Sequence, residues 1–290
     1  MNIIFKELQL LKRIEYLKRV YILRNVSRKE DDKEALIKKL YLEEDYIKKN
    51  PKLHEFDSPW KVKKILPLID KILHNFEEKQ INILDIGGGA GIVLRDLCSY
   101  IEKKYNLKVN KFALDLSQES LDILKQRNPD LKKTLHEDIR KTSLGDKELD
   151  ICLMIDVLEH VPKPQLALKE LKRISKYVIL KVPLEDNLYY RFWNFITKGK
   201  RKQYIIEFSS HINFYNFFNL KSQIKEYLGF ILDYYFTNVF EFFIKTPKYR
   251  NNMSSKETLL NRISIIMYRF SPKLTSLLFQ DFIMILCECY

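Results

Sequence analysis

Residues 81–97, INILDIGGGAGIVLRDL, constrain the fold of this 290-residue chain more than any other stretch. An apolar run over 81–86 carries Asp85 near its end. Gly87, Gly88, Gly89 and Gly91 follow at once, and a helical pattern opens at Ile92. Strand, glycine turn and helix N-terminus in that order form the corner of a doubly wound α/β sheet at which nucleotides or nucleosides are gripped. Glycine lets the backbone approach a ligand where a Cβ would clash, and the start of a helix presents free N–H groups. Four of the seven glycines in the chain fall at positions 87–91, which points to a binding site and not to an ordinary loop.

The glycine spacing narrows the ligand. A dinucleotide fingerprint, G-x-G-x-x-G, would need Gly87, Gly89 and a glycine at 92, but position 92 is Ile. The chain reads D-x-G-x-G-x-G instead, through Asp85, Gly87, Gly89 and Gly91. That pattern resembles the first motif of the class I S-adenosylmethionine (SAM) methyltransferases. Three later stretches agree. FALDLS (112–117) is a second apolar strand ending in an acid, and Asp115 lies 115 − 91 = 24 positions past the last glycine, close to the offset of a ribose-binding carboxylate. LDICLMIDVLEHV (149–161) is a buried strand ending in Asp156. Its D-V-L-E-H-V tail resembles the motif after the fourth strand in the small-molecule group that includes quinone-biosynthesis O-methyltransferases. YVILKVP (177–183) supplies the next strand. The resemblance covers about 56–245 and extends more loosely to 290.

The resemblance implies a doubly wound, Rossmann-like, mostly parallel sheet with an antiparallel edge strand, and SAM as cofactor. Residues Gly87, Gly88, Gly89 and Gly91 then let the backbone pass close to the methionine moiety, and Asp85 holds the loop or the amino group through water. Asp115 takes the ribose hydroxyls, since a diol is satisfied by an anion with two acceptors. Leu116 lies against the adenine, Asp138 accepts its amine, and the Ile139 N–H faces the ring. Asp156 joins this cofactor-binding set.

Methyl transfer from SAM is an in-line displacement at carbon; SAM supplies the activation, so the protein mainly positions the acceptor. A phenol, enol or hydroxyl acceptor gains from a general base. His160 follows the fourth strand on the ligand side, and His211 sits in SSHINFY (209–215), which resembles the family's His-containing loop. These two are the candidate catalytic residues. Glu159 and His160 offer two metal ligands without a third, so no metal site is predicted. Amino-methyltransferases acting on bases or amides carry N-P-P-Y or D-P-P-Y after the fourth strand, whereas this chain carries D-V-L-E. That absence argues against nucleic-acid modification. The expected reaction is methylation, at oxygen first, of a small-molecule, lipid-linked or glycan-linked acceptor. A tRNA or protein methyltransferase and a non-catalytic SAM-fold module are the rivals.

Composition sets the remaining bounds. A 46% apolar fraction is ample for a packed core. The four cysteines, Cys98, Cys152, Cys287 and Cys289, have no metal-type spacing and imply no disulfide framework, which fits a reducing, cytoplasmic setting. Lys6, Glu7, Lys12 and Arg13 interrupt any signal-peptide core. The net charge of +13 suits an anionic partner, including an acidic membrane surface.

The chain divides into an N-terminal helical extension (1–55), the SAM-binding core (56–245), and a helical insertion with a final edge strand (246–290). Leu10, Ile14, Leu17 and Tyr21 make one apolar face in the extension. Ser58-Pro59 predicts a helix capped by Ser58, with Pro67 kinking or dividing it. Residues 232–245 and 279–289 read as two strands, and Ser255 as the cap of a helix between them. Residues 187–206 and 246–276 exceed what the minimal fold needs. The first sets aromatic rings beside Lys198, Lys200, Arg201 and Lys202, a pairing suited to an apolar acceptor or an anionic membrane interface.

Overall fold

The computed structural model describes residues 33–38, 53, 55–74 and 76–290. Much of the predicted N-terminal extension, including the face at Leu10, Ile14, Leu17 and Tyr21, lies outside the described residues. Residues 33–38 are helical.

Strand and helix alternate from residue 58 as the apolar pattern requires. The elements are α1 (Ser58–Leu73), β1 (Gln80–Ile86), α2 (Ile92–Tyr105), β2 (Lys108–Asp115), α3 (Gln118–Arg127), β3 (Lys133–His136), β4 (Leu149–Ile155), α4 (Pro164–Ile174) and β5 (Ser175–Leu184). Then follow α5 (Leu188–Ile196), α6 (Lys200–Ser209), α7 (Phe217–Tyr227), β6 (Phe230–Phe236), α8 (Val239–Lys245), α9 (Pro247–Arg250), α10 (Ser255–Phe270), α11 (Pro272–Leu278) and β7 (Asp281–Glu288). The seven strands form one sheet in the order β3-β2-β1-β4-β5-β7-β6. β1 to β5 pair in parallel, and β7 runs antiparallel to both β5 and β6.

Every residue of β4 is buried, as a central parallel strand covered on both faces demands. Its side chains alternate between two cores. Cys152 and Met154 join Leu84, Ile86 and Leu114 under α4 and α7, while Ile151 and Leu153 join Ile81, Ile83 and Ala113 under α1 and α2. Each fully buried aliphatic side chain contributes about 1.5–3 kcal/mol, so these two layers fix the strand ends that carry the site. All four cysteines are buried and free.

Local expectations fail where tertiary contacts override propensity. α1 runs unbroken through Pro67, because the exposed ring sits opposite a buried Ile65, Leu68 and Ile69 face. Ser58 is the first helical residue and not the cap; that place falls to Asp57, which makes no side-chain cap bond. The cap of α10 is Ser254, in a reciprocal capping box with Glu257, one position before the expected Ser255. The strand expected over 232–245 stops at Phe236. There the buried Asp281 accepts hydrogen bonds from the Thr237 hydroxyl (2.9 Å) and from the Asn238 and Val239 N–H groups (both 3.1 Å). Asn238 takes a left-handed conformation (φ 54°), and residues 239–245 turn into α8.

Candidate active site

The carboxyl ends of β1, β2 and β4 open onto a cavity of about 290 Å³ whose lining includes Gly87, Gly89, Asp115, Leu116, Asp138, Ile139, Asp156 and His160. The Gly87 N–H donates to the Leu114 carbonyl (2.8 Å), which pins the glycine loop to the neighbouring strand. The loop glycines are sterically constrained. A Cβ on Gly88 would lie 2.2 Å from Asp85 Oδ2, and Gly89 combines φ +51° with the Leu53 carbonyl oxygen 3.2 Å from where its Cβ would stand. Gly91 caps α2 in a left-handed conformation.

Asp85 is buried beneath this loop and does not line the cavity. Its Oδ2 has no hydrogen-bond partner. Burial, then the nearby Asp115 charge, push its carboxyl up to about 7, against a smaller downward pull from Lys61. Asp115 accepts the Ser117 N–H at Oδ1 (2.8 Å), and the Ser117 hydroxyl accepts the Ser120 N–H to cap α3. Burial raises Asp115 to about 6, opposed by the backbone N–H groups of Ser117 and Leu116.

Asp138 is held by Arg140, whose Nη2 lies 2.7 Å from Oδ2 and whose backbone N–H lies 2.9 Å from Oδ1. Arg140 also meets Glu34 (3.0 Å), and Lys163 pairs with the same carboxylate (2.8 Å). Glu34, Ile37 and Lys38 thereby cover the cavity from the helical segment 33–38. Sequence reasoning assigned these residues no individual role.

Asp156 adopts φ 58° at the end of β4. Its carboxylate accepts the buried Lys181 ammonium from β5 and pairs with Lys61 of α1 at 3.0 Å. Burial alone would raise its pKa, but the Lys181 and Lys61 charges overcome this and hold it below the usual carboxylate range. Lys181 itself is lowered, because its burial outweighs the pairing. Neither lysine carries a motif signal. A cation in the middle of an apolar strand, YVILKVP, is the one clue that sequence offered.

The structure brings His160 and His211 together, with ring centroids 4.8 Å apart and planes at 77°. His160 lines the cavity, and His211 is not among its lining residues. The His160 Nδ1–H donates to the Ser210 carbonyl (3.0 Å), and His211 Nδ1 is 2.8 Å from Glu185 Oε2. Burial alone would lower His211; the Glu185 carboxylate reverses this and holds it above the ordinary imidazole range. The two loops are stitched by Asn213, whose side chain donates to the Leu158 (3.1 Å) and Val161 (2.7 Å) carbonyls. Glu159 is buried with Oε2 unpartnered. Ligand atoms of Glu159, His160 and His211 all lie within 4.8 Å of one another, so the fold supplies a third donor that linear spacing did not reveal.

A second cavity of about 550 Å³ adjoins this cluster. It is walled by Tyr189 and Tyr190 of α5, Arg201 of α6, Phe243 of α8, and Lys248 and Leu260 further on. Its wall includes Glu185, the carboxylate bound to His211, and Phe282. The Lys181 ammonium lies 3.5 Å from the Phe282 ring centroid. Two chains of contact therefore join the cavities: Glu185–His211–His160, and Phe282–Lys181–Asp156.

A glycine backbone facing the cavity and an acid at the end of β2 fit a nucleoside with an amino-acid tail. Fold and site together fit a class I SAM-binding methyltransferase. Residues 84–177 match the family model described as a methyltransferase domain. No curated protein matches the sequence. Among solved structures, the Haloferax volcanii protein in complex with a methyltransferase activator is 13% identical, with TM-score 0.54, covering 82% of this chain and 95% of that one. Geranyl diphosphate C-methyltransferase from Streptomyces coelicolor, solved with Mg2+, geranyl diphosphate and S-adenosyl-L-homocysteine, is 9% identical, with TM-score 0.52, covering 79% of each chain. At such identities these likenesses show the fold. Residues 84–177 thus carry a methyltransferase-domain match, and the shared fold and the lining of the first cavity fit SAM as the cofactor.

Proposed function

We propose that the enzyme methylates an oxygen of a small-molecule acceptor with an apolar body, lipid-linked or glycan-linked, held in the second cavity. The observation that carries this reading is the Glu185–His211–His160 chain, which joins the wall of one cavity to the lining of the other. Bound SAM supplies the electrophilic methyl group. Asp115 would hold the ribose, Leu116 and Ile139 the adenine, and the glycine loop the methionine end. Asp138, already engaged by Arg140, would keep a remaining lone pair for the adenine amine. Aromatic walls would orient the acceptor and exclude water, which strengthens every charge interaction inside. His211, with Nδ1 fixed by Glu185, would receive the acceptor proton at its other nitrogen. His160 would set the boundary between acceptor and donor.

The test is label transfer from methyl-labelled SAM to separate lipid, glycan, protein and RNA fractions. Label in the lipid or glycan fraction, lost in His211→Ala with SAM affinity retained, is the expected result. Label in RNA or protein alone would replace this reading with the rival one.

A further inference from the structure

An exposed apolar surface lies beside the second cavity. None of the nine residues of α5 is buried, although the helix reads LYYRFWNFI. Phe195 is 84% exposed, Phe192 58%, Leu188 57% and Ile196 51%, and Phe208 of α6 reaches 78%. An apolar helix face usually packs as core; this one faces outward. Its inner side is fixed to the body. Asn187 caps it through the Tyr190 N–H, Tyr190 stacks on Phe214 at 5.5 Å, and Asn194 accepts the Lys202 N–H at 2.9 Å. The outward orientation is thus set by contacts and does not result from a loose segment.

Charge selects the occupant. Residues 187–206 contain five cations, Arg191, Lys198, Lys200, Arg201 and Lys202, and no acid. Arg191 is paired with Asp186 (2.7 Å). Lys198, Lys200 and Arg201 are exposed at the α5–α6 turn, directly after the apolar face. Rings that can enter a headgroup boundary beside cations that can meet phosphate make an interfacial element for an acidic bilayer. No helix among the described residues is long and apolar enough to cross a membrane.

We propose that the α5–α6 hairpin docks the enzyme on an anionic membrane, with Phe192, Phe195 and Ile196 in the headgroup boundary and the turn cations on the phosphates. Tyr189, Tyr190 and Arg201 of the same hairpin wall the second cavity. Docking therefore brings that cavity to the bilayer, where a lipid-linked acceptor resides. Only this last point rests on the acceptor reading; docking itself does not.

The test is co-sedimentation of the full chain with phosphatidylcholine vesicles, with and without phosphatidylserine. Binding that requires phosphatidylserine and fades as salt rises is expected, because the attraction falls off over a Debye length. Lys198→Asn with Lys200→Gln lowers partitioning roughly 30-fold, about a factor of five per cation. Phe192→Ser with Phe195→Ser lowers it at least about tenfold even at low salt. All these variants keep wild-type SAM affinity, which separates loss of docking from loss of fold or cofactor site. Absence of vesicle binding at low salt overturns the proposal. So does binding indifferent to the two Phe replacements, which marks a merely basic surface. Self-association abolished by the Phe variants, without vesicle binding, would make this face a contact between copies of the chain.

Discussion

The two cavities are built in different ways. The donor cavity is assembled from the ends of adjacent parallel strands, and its lining comes largely from short contiguous stretches: 86–89, 114–116, 138–140 and 156–162. The second cavity gathers side chains from α5, α6, α8, α9, α10 and the start of β7, spread over 185–282. One is made of backbone and acids, whose positions the sheet fixes. The other is made of aromatic side chains on surface helices, whose positions only their mutual packing fixes.

The sharpest way to break this division is at the joint between the cavities. His211→Ala is expected to lower turnover by on the order of 100-fold or more, the usual worth of a positioned base, while calorimetry shows SAM affinity unchanged. Because Glu185 holds the His211 pKa above the ordinary 6.5, neutral imidazole appears only at higher pH. Turnover should accordingly climb through a pKa above that value. In Glu185→Gln the climb should move to lower pH. A matched fall in SAM affinity, with turnover intact at saturation, would assign His211 to the donor site.

Within the donor cavity, Gly89→Val should weaken SAM binding by about 1–3 kcal/mol from backbone strain alone, and by more from the filled loop. Far-ultraviolet circular dichroism should stay unchanged. Normal binding would reduce the loop to a turn. Asp115→Ala should weaken SAM binding by ~1–3 kcal/mol, the cost of lost hydrogen bonds to a charged acceptor. With Asp115 raised to about 6, wild-type affinity should also decline as pH falls through that value, and the mutant should lose this dependence. An unaltered affinity would remove the ribose assignment.

The smallest expected effect is on stability. Asp85 is raised from 3.8 to about 7 by burial, so the folded state holds this proton more tightly than the unfolded chain does. Its ionisation therefore opposes folding. The penalty is absent below the unfolded value, grows as pH rises, and is complete above the folded one. Asp85→Asn should raise the melting temperature of the ligand-free enzyme by a few degrees at about pH 8, and by nothing at about pH 4. A gain of equal size at both would point to packing instead of charge.

The D-x-G-x-G-x-G loop, Asp115 and the strand alternation were legible because each depends on local order: a strand must end, a turn must admit close backbone, and a helix must start. The antiparallel arrangement at the sheet edge was expected from the family resemblance and not from local order. The end of β6 was not legible, since Asp281 imposes it from 45 residues away in β7. The unbroken α1 escaped notice because packing of Ile65, Leu68 and Ile69 prevails over the local penalty of Pro67.

Sequence by itself determined the fold class, because strand–helix alternation follows from periodicity, while the cofactor and the two histidine loops came from the resemblance that the D-x-G-x-G-x-G, D-V-L-E-H-V and SSHINFY stretches carry. Only the tertiary structure decided that His160 and His211 touch, that Glu159 stands unpartnered beside them, and that Asp156 is clamped by Lys61 and Lys181. Such contacts join residues many positions apart. Their energy lies in burial and mutual distance, quantities that no local pattern along a chain encodes.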